Sequence, residues 1–293
     1  LNASIADLNN GGLVQAGQIT LKGNRLDNSG QLKATNALIV MAERATNQQQ
    51  GKVLAQHEMT FSAPLLSNRG TLAADMLNLS AGTSLNNSGL LQGDSGLTLT
   101  TALLNNLTGG QILTTGNLQL DQFVNAGTAV VDLSSGKGAI LENAAVPVAI
   151  VTASALRLSA VNTSLLNNAN QVGTLAGSIS GDAQGLDFTN ARALSVGSVL
   201  GTDGLAIGSP ASRGTLTLDT AGAPAGTGTI SQTPSIATGG LLVKSTGDVT
   251  LTNPANNAAT LAADTAGGNL SYVDADNLAV GTLAPNEIGR AHV

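Results

Sequence analysis

The 293-residue chain has no Cys, no Trp, one Tyr and three Phe. Without Cys there is no disulfide framework, no thiolate metal site and no Cys nucleophile. Aromatic residues make up 1% of the chain, so the rings that normally supply much of a core's buried area are missing. Leu, Val, Ile and Ala must fill the interior, in thin layers. Charged residues are only 10%, far below the usual quarter. Low charge with 42% hydrophobic residues excludes a disordered chain. The 36 Gly have no period of three, which excludes collagen. No uninterrupted apolar run reaches transmembrane length. Neither an initiator Met nor a basic segment followed by an apolar one opens the chain. It starts mid-pattern at Leu1-Asn2-Ala3-Ser4 and is expected to be a piece of something longer. A net charge of −6 argues against a nucleic-acid partner.

What the chain does have is a repeat. Asn10, Asn28, Asn47, Asn68, Asn87, Asn106 and Asn125 recur at nearly constant spacing. Each is followed by a glycine: Gly12, Gly30, Gly51, Gly70, Gly89, Gly110 and Gly127. Next comes a short alternating pair, from Val14/Ala16 and Leu32/Ala34 through Val53/Ala55, Leu72/Ala74 and Leu91/Gly93 to Ile112/Thr114. A second pair follows, read as Ile19/Leu21, Ile39/Met41, Met59/Phe61, Leu77/Leu79, Leu97/Leu99 and Leu118/Leu120. Alternation is strand spacing, and Gly and Asn tolerate the left-handed backbone of sharp corners.

A unit of two or three short strands buries its apolar side only by stacking on its neighbours. The expected fold is all-β, a right-handed parallel β-helix with coils of about 19–21 residues. It would have about 14 to 15 coils and a length near 70 Å at about 4.8 Å per coil. Leu77, Leu79, Leu97 and Leu99 should be buried in columns. The Asn residues either bond to one another along a column or only supply turns.

Residues 1–128 read as regular repeats and 129–286 as less regular repeats of the same solenoid. Leu156/Leu158, Leu216/Leu218 and Val249/Leu251 look like the second pair again. The stretch from Leu186 to Gly197 matches Leu270 to Gly281 at an offset of 84, near four coils of 21. Irregular loops are expected from Glu142 to Pro147 and from Ala221 to Pro234. Residues 287–293, Glu-Ile-Gly-Arg-Ala-His-Val, break the pattern and match one reading frame of a common sequencing adapter. They are expected to be non-native, Arg290 and His292 included. Neither end carries a polar cap, so the isolated chain is expected to associate end to end.

The Leu-x-Asn-x-Gly-x-Leu-x-Ala unit, as in Leu85-Asn-Asn-Ser-Gly89-Leu-Leu-Gln-Gly93, resembles repeats of filamentous haemagglutinin-type exoproteins. Asn167-Asn-Ala-Asn-Gln-Val-Gly173-Thr-Leu175-Ala resembles their distal repeats. These are large secreted proteins of bacterial two-partner secretion, and contact-dependent inhibition proteins share the architecture. The resemblance implies a β-helical shaft on the bacterial surface that serves adhesion or carries a distal effector. It also implies an outer-membrane two-partner secretion transporter and receptors or glycans on host or neighbouring cells. The family's secretion domain and toxin domains are not among these residues.

Chemistry-bearing residues are few. His57 beside Glu58 reads as a solvated corner, since zinc needs three or four ligands. Asp75 and Asp94 hold the same place in successive coils, and Asp182 and Asp203 are 21 apart, as are Arg192 and Arg213. Stacked carboxylates of this kind could hold calcium or act as an acid pair, which gives an alternative reading as a carbohydrate-active β-helix enzyme. Glycan-acceptor triplets start at Asn2, Asn78, Asn86, Asn106, Asn162 and Asn269. No nucleotide fingerprint or nucleophile elbow is present. The reading favoured by the sequence is therefore a structural shaft, with no catalytic or metal residue assigned and no cofactor expected.

Overall fold

A computed structural model describes residues 1–101, 104–107, 109–120, 124–128, 130–145 and 150–285. Twenty-nine strands join into one hydrogen-bonded system. Its pairings are parallel except for one hairpin, Leu205–Ser209 with Ser212–Arg213. There is no helix among the described residues. The chain is a parallel β-solenoid of about 13 turns, close to 60 Å long at ~4.8 Å per turn.

Three strand columns run up the molecule. The first joins Val14, Leu32, Val53, Leu72, Leu91, Ile112, Leu133, Leu158 and Gly177, and goes on through Leu205 to Ile236. The second starts with Ile19, Leu38, Met59, Leu77, Leu97, Leu118 and Ile140. The third starts with Leu8, Leu26, Ala45, Leu66, Leu85 and Leu104. Leu77, Leu79, Leu97 and Leu99 are buried, as expected. So are Phe61 and Phe188, so the interior accepts a ring where a coil is wide enough.

The corner asparagines form a ladder. Asn10 donates from Nδ2 to Oδ1 of Asn28 at 2.7 Å, and the same bond repeats through Asn47, Asn68, Asn87 and Asn106 at 2.8, 2.9, 2.8 and 2.7 Å. All six carboxamides are buried. Buried polar groups need partners, and each Asn finds them in the coils above and below. The glycines beside them serve a different purpose from the one expected. None of Gly12, Gly30, Gly51, Gly70, Gly89 and Gly110 has a positive φ, and neither do the six asparagines. Instead, a Cβ at Gly30, Gly70 or Gly89 would overlap the carbonyl oxygen of the glycine one coil below. Backbone approaches backbone too closely there for any side chain.

The ladder stops after Asn106. Val124 pairs with Leu104, which puts Ala126 over Asn106 and leaves Asn125 out of the column. Asn125 accepts the Gly127 amide instead, at 2.9 Å, and Gly127 does adopt a left-handed φ of 55°.

Several register expectations are corrected. In the second coil the inward pair is Leu38/Val40, at 0% and 1% exposure, and not Ile39/Met41; Met41 is 42% exposed. The pairing slips by one between Ala16 and Gln18, where the second coil carries an extra residue. Leu38 to Met41 is apolar throughout, so alternation alone could not fix the phase. Further up, Leu156/Leu158 stack on Val131 and Leu133 of the first column. Leu216/Leu218 lie in the second column, above Leu186 and Phe188. Val249/Leu251 do not lie in the second column; Val249 stacks on Ile230, above Leu194. The two copies at offset 84 also fall in different columns, since Leu270 pairs with Val249 while Leu186 pairs with Leu216.

The cause is coil length. The first column climbs from Leu133 to Leu158, from Gly177 to Leu205 and from Leu205 to Ile236 in single steps, each longer than any coil of the regular half. That is why there are fewer turns than the 14 to 15 expected. A hairpin of Ser198–Val199 and Thr202–Asp203 is inserted in one long coil and packs back on Val151–Ala160 and Ser164–Ile179. The expected 221–234 loop contains a strand, Ile230–Gln232. The rest of it lies beside the wall, where the Gly226 amide donates to the Thr246 carbonyl at 2.6 Å. Glu142 ends a strand, Ile140–Glu142, and does not start a loop; Pro147 lies outside the described residues, as do 287–293. Leu13 at one end and Val280 at the other are exposed, at 62% and 82%.

The corrected register makes a direct prediction. Leu38→Asp places a carboxylate in the dry interior and should destabilise the chain by about 3 kcal/mol or more. Ile39→Asp, at the next position, should cost under about 1 kcal/mol. Thermal melts of the two variants check it, and equal losses would contradict the register.

Candidate functional site

The stacking does not assemble the residue clusters anticipated from spacing. His57 and Glu58 are exposed, and Glu58 accepts only a long bond from Asn78, at 3.4 Å. Asp75 and Asp94 do not face each other. The pairing slips between Gly93 and Gly96, and Asp75 takes its hydrogen bond from the Ser95 hydroxyl, while Asp94 accepts from Gln92 at 2.7 Å. Ile179 pairs with Ile207 across one of the long coils, so Asp203 is not above Asp182. Asp203 sits instead in the inserted hairpin opposite Ser198. Arg192 is exposed just past the Asn190 corner, and Arg213 belongs to the second hairpin, opposite Gly208. The four groups of the enzymatic reading are thus not stacked as their spacing implied. Among the described residues no group of three or more His, Asp or Glu could hold a metal ion. Of the glycan triplets, Asn2, Asn162 and Asn269 are exposed or partly so, whereas Asn106 is buried in the ladder, and its Thr108 lies outside the described residues.

Three polar arrangements are not apparent from sequence spacing. The first is an ion pair across adjacent coils. Arg157 donates from Nε to Asp132 at 2.9 Å and from a terminal nitrogen to the other carboxylate oxygen. Two parallel bonds give the planar fork its full geometry. The Asp132 side chain is 3% exposed and that of Arg157 28%. Its hydrogen bond to Asp132 raises the guanidinium pKa further.

The second is Glu142, which faces inward where neighbouring coils present Leu120 and Leu166. Its Oε2 accepts the Asn168 amide at 2.8 Å and Asn170 Nδ2 at 3.3 Å, while Oε1 has no partner. Burial pushes its carboxyl up from 4.5 to about 8, against the two hydrogen bonds, which lower it. Between those values the unfolded chain is ionised there and the folded chain is not. Stability is therefore full below pH about 4.5 and is progressively lost as pH rises to about 8. The third is Tyr272, whose hydroxyl donates to Asp274 at 2.6 Å. Burial and the adjacent carboxylates raise the phenol pKa. Burial alone would raise Asp274, but bonds from Tyr272, Asp276 and Ala258 outweigh it and hold it low.

The first two arrangements sit in the long coils where the ladder has ended.

Part of the chain is similar to three curated bacterial proteins. It is 34% identical over 122 residues to the 16S rRNA endonuclease CdiA of Enterobacter cloacae subsp. cloacae, covering 41% of this chain and 4% of that protein. To the deoxyribonuclease CdiA of Dickeya dadantii it is 33% identical over 110 residues, 38% of this chain and 3% of that protein. To the toxin CdiA of Escherichia coli it is 37% identical over 116 residues, 39% and 4% respectively. The matched stretch thus spans only 3 to 4% of the length of these relatives. They are contact-dependent inhibition proteins, within the broad two-partner secretion class that the repeat resembles. No protein-family profile matches the chain, and no solved structure matches it.

The Asp132–Arg157 pair gives a prediction. Arg157→Met leaves a carboxylate stranded at 3% exposure. The loss should be about 3 kcal/mol in denaturant titration. A second change, Asp132→Leu, should recover most of it, and a double variant as unstable as the single one would contradict the pairing.

Proposed function

We propose that this chain is a length of shaft in a large exported surface protein of the contact-dependent inhibition kind. It holds a separate effector away from the producing cell and performs no chemistry itself. The observation that carries this reading is the similarity to three CdiA proteins in a chain whose fold is a stack of β-coils. A solenoid suits the task because each coil contacts only its neighbours, so length grows without a change in packing. The nuclease activities in the relatives' names belong to those proteins. On this reading such an activity resides in a different part of the parent chain.

The reading entails a two-partner secretion transporter in the outer membrane and a receptor on a neighbouring cell. It places the chain outside the cell. No helix among the described residues is long and apolar enough to cross a membrane. Adhesion to host cells, the other role implied by the resemblance, has no specific support in these similarities.

The test is a co-culture competition. The parent gene is compared with one lacking residues 29–68, two coils whose removal would set Asn28 beneath Asn87 and keep the ladder in register. Removing the whole solenoid segment should lower inhibition of neighbouring cells at least tenfold, and removing two coils should lower it less, with surface display retained. Inhibition unchanged by the full deletion would contradict the shaft reading. So would nuclease or glycan-cleaving activity of the purified 293-residue chain. Saturable binding of that chain to host cells, with inhibition unchanged by the deletions, would favour the adhesive role.

A further inference from the structure

One inward position differs in kind from its column. Up the second face the interior residues are Leu79, Leu99, Leu120, Glu142, Leu166, Phe188, Leu218 and Val243. Seven are apolar and one is an acid. Glu142 is 8% exposed, and its Oε1 has no partner.

Its other oxygen meets a hub. Asn170 is fully buried and donates from Nδ2 toward Glu142, to the Thr189 carbonyl at 3.0 Å and to the Asn168 carbonyl at 3.1 Å. Its Oδ1 accepts the Val151 amide at 2.6 Å. One carboxamide thus ties the end of Ile140–Glu142 and the start of Val151–Ala160 to Leu186–Asn190. The Asn168 amide, also on Glu142, completes the junction.

We infer that Glu142 and Asn170 form a proton-operated latch in the wall of the solenoid. While Glu142 is neutral, its side chain can stay between Leu120 and Leu166 and the strand ends remain on Asn170. When its proton leaves to solvent, a carboxylate with only two donors sits in an apolar column. Such a charge requires hydration. Water reaches Oε1 only if the wall parts at this point, which frees the amides of Val151 and Asn168.

Nearby charges do not substitute for that water. Leu118–Leu120 and Ser164–Ile179, packed below and above, contain no charged side chain. Asp132 and Arg157, on Val130–Ser135 and Val151–Ala160, are committed to each other. Asp187 is buried, at 2% exposure, but it alternates to the opposite side of its strand from Leu186 and Phe188, away from the column that holds Glu142. The buried acid has an elevated pKa, which puts the transition within the range where the protein can be studied.

The test is amide hydrogen exchange on the full chain at pH 6 and pH 9, expressed as protection relative to the intrinsic rate. In the parent chain, protection at Val151 and Asn168 should fall at least tenfold at pH 9, while Leu79 in the regular coils keeps its protection. Glu142→Gln should abolish that pH dependence. Glu142→Leu, which continues the apolar column, should abolish it too and serves if the amide variant folds poorly. An equal fall in the parent and the variants would overturn the latch, as would constant protection in the parent.

Discussion

Each residue in the stacked strands has to be compatible with the residues one coil above and below it. That axial constraint governs the whole structure. It makes like stack on like, so Leu, Val and Ile form columns and Asn bonds to Asn at 2.7 to 2.9 Å. It also puts glycine on glycine, since the carbonyl of one corner occupies the space a Cβ would need in the next. Aromatics are scarce for the same reason. A ring has to be matched by its neighbours, and the interior takes Phe61 and Phe188 singly, each between smaller side chains.

Where the period lengthens, the means of satisfying polar groups changes. Up to Asn106 a single carboxamide ladder serves the same corner of every coil. Beyond it the corners are individual: Asn125 makes a turn with Gly127, Asn170 joins three coils, and Asn256 bonds to Gln232 and to the Ile236 amide. Isolated solutions permit groups that a uniform stack would exclude. The Asp132–Arg157 fork and the inward Glu142 both occur here. Breaking either partner of such a group exposes the desolvation cost of the other, so these coils combine stability with sensitivity in a way the regular coils do not.

The regular half was legible in the sequence because its period is nearly constant and three markers share it. Columns, buried leucines and parallel stacking all followed from it. The phase at Leu38 was not legible, because four consecutive apolar residues satisfy either register. The reason for the glycines was also hidden, since a close approach between coils leaves no trace in a single unit. In the second half, spacing misled. Insertions such as the hairpin at 198–203 change coil length, so Asp182 and Asp203 have the spacing of one regular coil without being neighbours. Glu142 gave no signal because it stands at the start of a stretch that reads as a loop, and its importance comes from Asn168 and Asn170, a coil away.

Coil register underlies every feature of this fold, and the absence of Cys makes it directly measurable. Ser67 pairs with Asn86 in adjacent coils, at a spacing within the Cα range that a disulfide accepts. Ser84 pairs with Leu65, two residues along the strand from Ser67, which puts Ser84 and Ser67 beyond the Cα separation a disulfide accepts. The variant with Ser67→Cys and Asn86→Cys should form its intramolecular disulfide on mild oxidation of the folded chain. The variant with Ser67→Cys and Ser84→Cys should stay reduced under the same conditions. Efficient closure of the 67/84 pair, or failure of the 67/86 pair, would contradict the coil register on which the account rests.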